Sequence, residues 1–302
     1  MIFLAVMALL IGKTSASIAS ICDSYVTNKY LKKIWTIVFY TGCISLFVGV
    51  PVLLFFGVPE FLLSFKTYVL LFIISLLTII FAPMYFLALK TTDTSVISAI
   101  QLLGKVFTPI LAFFMIGEKL SLMKYIGFGI IILINFILNI EKVSGKIKIN
   151  KGFWLMLSVS FILVIQSILT KKALMYTDWV SVSFWKTTFT TLLLFGSLAF
   201  KTLRNDIVKS FSIYKTKFKT FFSIELFACV NEYFTIFALS VLPVVVVSSF
   251  EALRPMITMI IGIILRYLFK IDTKEIYNKR EVLRRVVFYL LLVFGVIITV
   301  LG

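Results

Sequence analysis

The stretch "YFTIFALSVLPVVVVSSFEALRPMITMIIGIIL" (Tyr233–Leu265) holds two apolar runs joined by a tight turn at Leu242 and Pro243. Its second run reads as a helix made for lipid, yet Glu251 and Arg254 stand near its middle. About 20 mostly apolar residues suffice for a helix to cross a bilayer. A charge near the centre of such a helix costs roughly 2.5–3.5 kcal/mol on insertion scales, so it persists where it faces a bundle interior or a wet cavity. The same pattern occurs earlier, in "YFLALKTTDTSVISAIQLLGKVFTPILAFFMIGEKL" (Tyr85–Leu120). Each stretch ends one helix with Ala-Leu, turns, and begins a helix rich in small residues that contains proline. Setting Ala88 on Ala238 aligns the two without a gap, which places Ser98 on Ser248, Gln101 on Glu251, Gly104 on Arg254 and Lys105 on Pro255.

The whole chain has the same character. Of its 302 residues 61% are hydrophobic and only 14% charged, with a mean hydropathy of +1.10. Soluble domains sit near 45–50% apolar, so the composition is that of a membrane protein. Cys22, Cys43 and Cys229 are scattered in or beside apolar runs and have neither disulfide nor metal spacing. There is no histidine, which removes the usual proton shuttle and the commonest metal ligand. No cofactor is expected. The net charge of +17 lies in short loops between apolar runs, where a membrane protein meets anionic headgroups, and does not point to nucleic acid. The first apolar stretch is too long for the core of a signal peptide and reads as the first span.

Ten segments have the length and hydropathy to cross a bilayer. They run over 2–22, 34–57, 67–89, 93–116 and 121–140, then over 153–174, 179–200, 220–240, 243–268 and 286–301. Basic linkers are expected at Glu141–Gly152, Lys201–Lys219 and Lys270–Arg285. Five spans per half make the two halves face opposite ways. The expected fold is an all-α polytopic membrane protein with ten transmembrane helices as two inverted five-helix repeats, 1–142 and 143–302. A solute site at the repeat interface goes with that construction.

The run "ALKTTDTSVISAI…PILAFFMIGEKLSLMKYIGFGIIILI" (Ala88–Ile134) resembles the EamA-like branch of the drug/metabolite transporter superfamily. Gly117, Glu118, Lys119 and Leu120 match that family's Gly-Glu-Lys/Arg-Leu step. Ala238, Leu239, Pro255 and the final helix around Gly295 carry the likeness in the second half. Lys105 stands where the family places its fourth-helix proline, and the second half lacks the Gly-Glu step. The resemblance implies a ten-span exporter of amino acids, related metabolites or drugs.

Seven ionisable residues lie well inside the expected spans: Lys13, Lys105, Lys186, Glu225, Glu232, Glu251 and Arg254. Four are cationic and three anionic, which suits internal pairing with one spare positive charge for an anionic or zwitterionic solute. Helical spacing groups them with hydroxyls on single faces. These stripes are Lys13, Ser17, Ser20 and Ser24; Ser98, Gln101, Lys105 and Thr108; Ser183, Lys186, Thr187 and Thr190; Glu225, Cys229, Glu232 and Thr235; and Ser248, Glu251, Arg254 or Pro255, and Thr258. The expected solute ligands are Gln101, Lys105, Arg254, Ser98, Ser248, Lys186 and Lys13, and the expected proton-coupling acids are Glu232 and Glu251. Against this, Ser and Thr in membrane helices often only bond back to a carbonyl. Glu251 and Arg254, three apart, can also form a purely structural pair. Glu118, at a helix end next to Lys119, is expected to stay hydrated or to hold a loop. Pro83, Pro109 and Pro255 are expected to bend or open their helices.

The reading is a secondary transporter working by alternating access on a small polar or zwitterionic solute, as a monomer or homodimer, with membrane lipid and protons as its other partners. A flippase for a lipid-linked sugar and a membrane-embedded transferase are the rivals. Loops after the odd-numbered spans carry about 20 lysines and arginines against about 5 after the even-numbered ones. That bias places both termini outside, whereas the family resemblance implies cytoplasmic termini.

Overall fold

The structure is a computed structural model that describes residues 1–29, 33–91, 100–101, 104–142, 151–269 and 279–302. Among these residues there is no strand. Helices α1 (Ile2–Lys29), α2 (Ile34–Leu54) and α3 (Phe65–Thr91) come first. A 3₁₀ turn (Lys105–Phe107) then leads into α4 (Thr108–Ile116), and α5 (Leu122–Lys142) follows. The second half brings α6 (Lys151–Ala173), α7 (Trp179–Gly196), α8 (Lys201–Thr216), α9 (Phe218–Val241) and α10 (Val244–Ser249). A 3₁₀ turn (Phe250–Leu253), α11 (Arg254–Phe269) and α12 (Lys279–Leu301) complete it. Among the described residues six segments are long and apolar enough to cross a membrane: Ile2–Asp23, Ile34–Leu54, Phe65–Ala88, Gly152–Ala173, Phe218–Val241 and Val244–Ile261. Lys105–Ile116, Leu122–Asn135 and Val286–Leu301 are shorter apolar helices. Phe, Leu and Ile side chains such as Phe47, Phe72, Phe114, Leu133 and Phe294 point outward, as lipid-facing helices require.

Lys201–Lys219, expected as a linker, is instead largely the helix α8. Ile207 and Tyr214, seven residues apart and buried, give it an apolar edge to dock. The Tyr214 ring stacks on Tyr40 of α2 with centroids 3.8 Å apart. The remaining basic linkers lie partly outside the described residues.

Two proline breaks shape the centre. Pro109 and Pro255 lack the N–H that the carbonyl four residues earlier would accept. Those carbonyls belong to Lys105 and Glu251, and each accepts instead from the residue three later, Thr108 and Arg254. Each proline thus converts the turn ahead of it to 3₁₀. Counted from the breaks, Lys105 corresponds to Glu251, one helical turn away from the gapless alignment that sets Gln101 on Glu251. Pro83 behaves differently, since α3 runs through it.

Helix pairing follows a pattern. α1 packs on α9 as α6 packs on α3; α3 meets α7 as α9 meets α2; and α1 meets α11 as α6 meets α4. α5 pairs with α12, α2 with α7, and α4 with α10. At the α5–α12 crossing a Cβ on Gly127 would stand 2.6 Å from Thr299 Oγ1 and 2.9 Å from the Gly295 carbonyl. Small residues allow this approach in lipid, where dispersion contacts drive association. Gly127→Leu is therefore expected to destabilise the bundle by more than the roughly 1–3 kcal/mol of ordinary core overpacking, read as a drop in the SDS concentration at the unfolding midpoint in mixed micelles. A wild-type midpoint would show that this crossing is not close-packed.

Glu118 holds a loop, one of its two expected roles. Its Oε2 accepts from Val244 N at 3.1 Å at the start of α10. Lys171 Nζ donates to the carbonyls of Leu239 (2.6 Å) and Leu242 (3.0 Å) at the end of α9. Together they fix the α9–α10 turn at both of its helix ends, where backbone groups lack helical partners.

Candidate functional site

Lys13 lies midway along α1 and is 1% exposed. Gly12 brings that helix close to α9, for a Cβ there would stand 3.5 Å from Asn231 Cα. The ammonium has three protons and finds three acceptors: Glu251 Oε1 at 2.6 Å, Thr235 Oγ1 at 3.0 Å and Asn231 Oδ1 at 3.2 Å. Glu251 Oε2 faces Arg254 Nη1 at 3.5 Å, and Arg254 Nη2 donates to Ser20 Oγ at 2.6 Å. Lys105, buried at the other proline break, stands within electrostatic reach of Glu251, Lys13 and Arg254. Glu251 therefore serves three cations drawn from three spans. Its closest partner comes from α1, so it is more than half of an intrahelical pair with Arg254.

A second group lies on the other side of α9. Lys186 Nζ of α7 pairs with Glu232 Oε1 at 2.8 Å, with the two side chains 12% and 38% exposed. They border a cavity of about 120 Å³ between α2, α3, α7 and α9. Thr41, Ser45, Thr78, Thr187 and Thr190 add hydroxyls to its wall. Ser45 Oγ, in the same wall, donates at 2.8 Å to Oε2 of Glu225, seven residues before Glu232 on α9. The buried hydroxyl of Thr190 makes no hydrogen bond among the described residues.

The structure distributes the expected ligands unevenly. Lys13, Lys105, Arg254 and Glu251 come together, and Lys186 and Glu232 come together. Gln101 is half-buried, and its backbone carbonyl accepts from Ser160 Oγ of α6. Ser248 is buried on α10, three residues ahead of Glu251. Ser98 lies outside the described residues. The expected stripe on the eighth span fans across three neighbours: Glu225 and Cys229 face Ser45 of α2, Glu232 faces Lys186 of α7, and Thr235 faces Lys13 of α1. Ser17 and Ser20 donate back to the carbonyls of Lys13 and Ala16, the packing role weighed against them. Ser20 also accepts from Arg254, so it serves both roles.

Asp23, one residue beyond the end of the first expected span, belongs to this set. It closes the first span and stands within electrostatic reach of Arg254, Tyr85 and Glu225. With it the cations and anions number four each, and the spare positive charge disappears. Its signal was available: Lys13, Ser20 and Asp23 fall at i, i+7 and i+10 on α1. Asn231 was overlooked beside Glu232, although it too lies within an apolar span.

Residues 2–140 match the EamA-like transporter family. This stretch, a little under half of the chain, is similar to that family. The EamA-like match accords with the drug/metabolite transporter superfamily, and the chain is an integral, multi-pass membrane protein. A crystal structure described only as that of a protein superposes with a TM-score of 0.67 over 98% of this chain and 95% of its own, at 13% identity. That likeness bears on the fold alone. No curated protein matches.

Proposed function

We propose that the chain is a secondary active transporter that exports a small zwitterionic metabolite, such as an amino acid, by alternating access. The cavity bounded by Lys186 and Glu232 carries this reading. It takes walls from both halves of the chain and sets an ammonium and a carboxylate among threonine hydroxyls. A solute that bears both charges can displace the Lys186–Glu232 pair and leave neither group unpartnered, whereas a purely anionic solute would strand Glu232. Its volume of about 120 Å³ admits a small metabolite. The charge balance created by Asp23 argues the same way.

Alternating access needs two related halves that rock against each other. The matched pairings, α1–α9 with α6–α3 and α3–α7 with α9–α2, support ten spans arranged as inverted repeats over 1–142 and 143–302. The paired proline breaks at Pro109 and Pro255 support it too. Each repeat then presents an interrupted helix to the centre, one bearing Lys105 and the other Glu251.

Counterflow in proteoliposomes tests the solute. Preloading with single amino acids, nucleotides or phosphorylated metabolites is expected to stimulate uptake of a labelled amino acid only when the preloaded solute is zwitterionic. Lys186→Gln is expected to raise the half-saturating concentration about tenfold, the loss of roughly 1.4 kcal/mol of charge-assisted binding. Stimulation by phosphorylated metabolites alone, or an unchanged Lys186→Gln, would overturn the assignment.

A further inference from the structure

We infer that α8 carries a docking stripe for anionic phospholipid, formed by Arg204, Val208, Phe211 and Lys215. The spacing of these four residues (i, i+4, i+7 and i+11) puts them on a single line along the helix. All four are exposed, Val208 at 66% and Phe211 at 56%. A cation stands at each end of the line with apolar side chains between.

The rest of the helix determines what this line faces. Ile207 and Tyr214 point into the protein, where Tyr214 stacks on Tyr40 and tilts against Phe221, and Tyr40 donates to the Ile207 carbonyl at 2.8 Å. On the opposite side Lys201, Asn205, Lys209, Ser212 and Thr216 form an exposed face that is wholly polar, with Ile213 at its margin. Between the docked edge and the polar face lies the mixed stripe. A helix with protein beneath it, water above it and a basic–apolar line at its flank is lying along a membrane surface. In that position Val208 and Phe211 enter the boundary between headgroups and acyl chains, and Arg204 and Lys215 reach the phosphates beside them. Phe200 and Phe218, exposed at the two ends of the helix, extend the same boundary.

Charge selects the lipid. Asp206 is the one acidic residue in the sequence of α8, and Lys33 at the start of α2 already pairs with it. Arg204 and Lys215 have no ion-pair partner among the described residues. Anionic headgroups complete that arrangement; a zwitterionic headgroup brings its own cation and does not. A contact here reaches the cavity by a short route, because the Tyr40–Tyr214–Phe221 stack joins α8 to α2 and α9, which carry Ser45, Glu225 and Glu232.

Two measurements on the full chain test this. Spin labels are placed at Val208→Cys, Phe211→Cys, Asn205→Cys and Ser212→Cys in a background with Cys22, Cys43 and Cys229 replaced. The protein is reconstituted in phosphatidylcholine vesicles with and without phosphatidylglycerol. Labels at 208 and 211 are expected to be relaxed by oxygen, and those at 205 and 212 by a water-soluble nickel chelate. Nickel relaxation at all four would put the stripe in water, and immobile labels shielded from both agents would put it in a protein interface; either result overturns the inference. Second, spin-labelled phosphatidylglycerol is expected to associate more strongly than phosphatidylcholine, and R204Q/K215Q is expected to abolish that preference without moving the thermal midpoint. A preference that survives R204Q/K215Q would overturn the assignment of the stripe. The counterflow specificity of the solute site does not enter either readout, so failure here leaves the transport reading standing and the converse also holds.

Discussion

Lys13→Met is expected to destabilise the protein by about 3–5 kcal/mol, the range for removing one partner of a buried ion pair. Few charged positions in the chain are as enclosed. Lys13 is 1% exposed, and its three protons are all used by Glu251, Thr235 and Asn231. Methionine fills most of the same volume, so the lost packing is small and the deficit is electrostatic. Glu251 would keep Arg254 at 3.5 Å and lose its 2.6 Å partner, while Asn231 and Thr235 would each lose a charged donor. SDS titration in mixed micelles measures the shift. The double variant K13M/E251Q separates the causes: with the carboxylate neutralised as well, part of the lost stability is expected to return. A K13M midpoint equal to wild type would mean that α1 is held to α9 by apolar packing alone.

How much of this was legible in the sequence depends on the scale of the pattern. Hydropathy marks apolar runs because each is about 20 residues of one character; among the described residues six of the ten expected spans are long and apolar enough to cross, and Lys201–Lys219, expected as a linker, is largely helical. There the run is too polar to look like a span, and its docked edge rests on Ile207 and Tyr214, which local composition does not single out. The charged residues inside spans were visible because lipid makes them costly wherever they stand. Which of them meet was not visible. Helical phase assigns a face to Lys13 and to Glu251 but does not say that α1 crosses α9 and α11, and the Lys13–Glu251 contact spans 238 positions. Phase also failed on the eighth span, where one broad polar side serves three neighbours. Asp23 was missed for a different reason, since a span-end acid looks solvated until the helix is seen to continue to Lys29. The prolines marked the breaks, but the equivalence of Lys105 with Glu251 emerges only once the 3₁₀ turns fix the local register.

Glu251→Gln is expected to uncouple transport from the proton gradient while leaving solute exchange intact. Glutamine keeps the shape of the side chain and an acceptor oxygen for Lys13, but it can never carry the negative charge. It thus mimics a carboxyl that holds its proton permanently. The groups facing Glu251 are Lys13 from α1, Lys105 from the first break and Arg254 from its own helix, with Asp23 beyond Arg254. With the carboxylate charged, the Lys13 bond ties α1 to the second break. We propose that protonation weakens that tie and frees Lys13, and that Lys105, at the corresponding proline break, takes its place when the charge returns. Such an exchange of partners across the two breaks would be a bistable element of the sort that alternating access needs. A hydrogen bond to a charged group contributes about 1.5–3 kcal/mol, so the variant shifts the balance of states by about ten- to a hundredfold. Gradient-driven uptake should fall by that factor and lose its dependence on pH, whereas counterflow, which needs no net proton movement, should continue. If E251Q instead retains the wild-type pH profile and rate, Glu251 does not carry the proton; Glu232, 38% exposed beside the cavity, is then the acid to replace next.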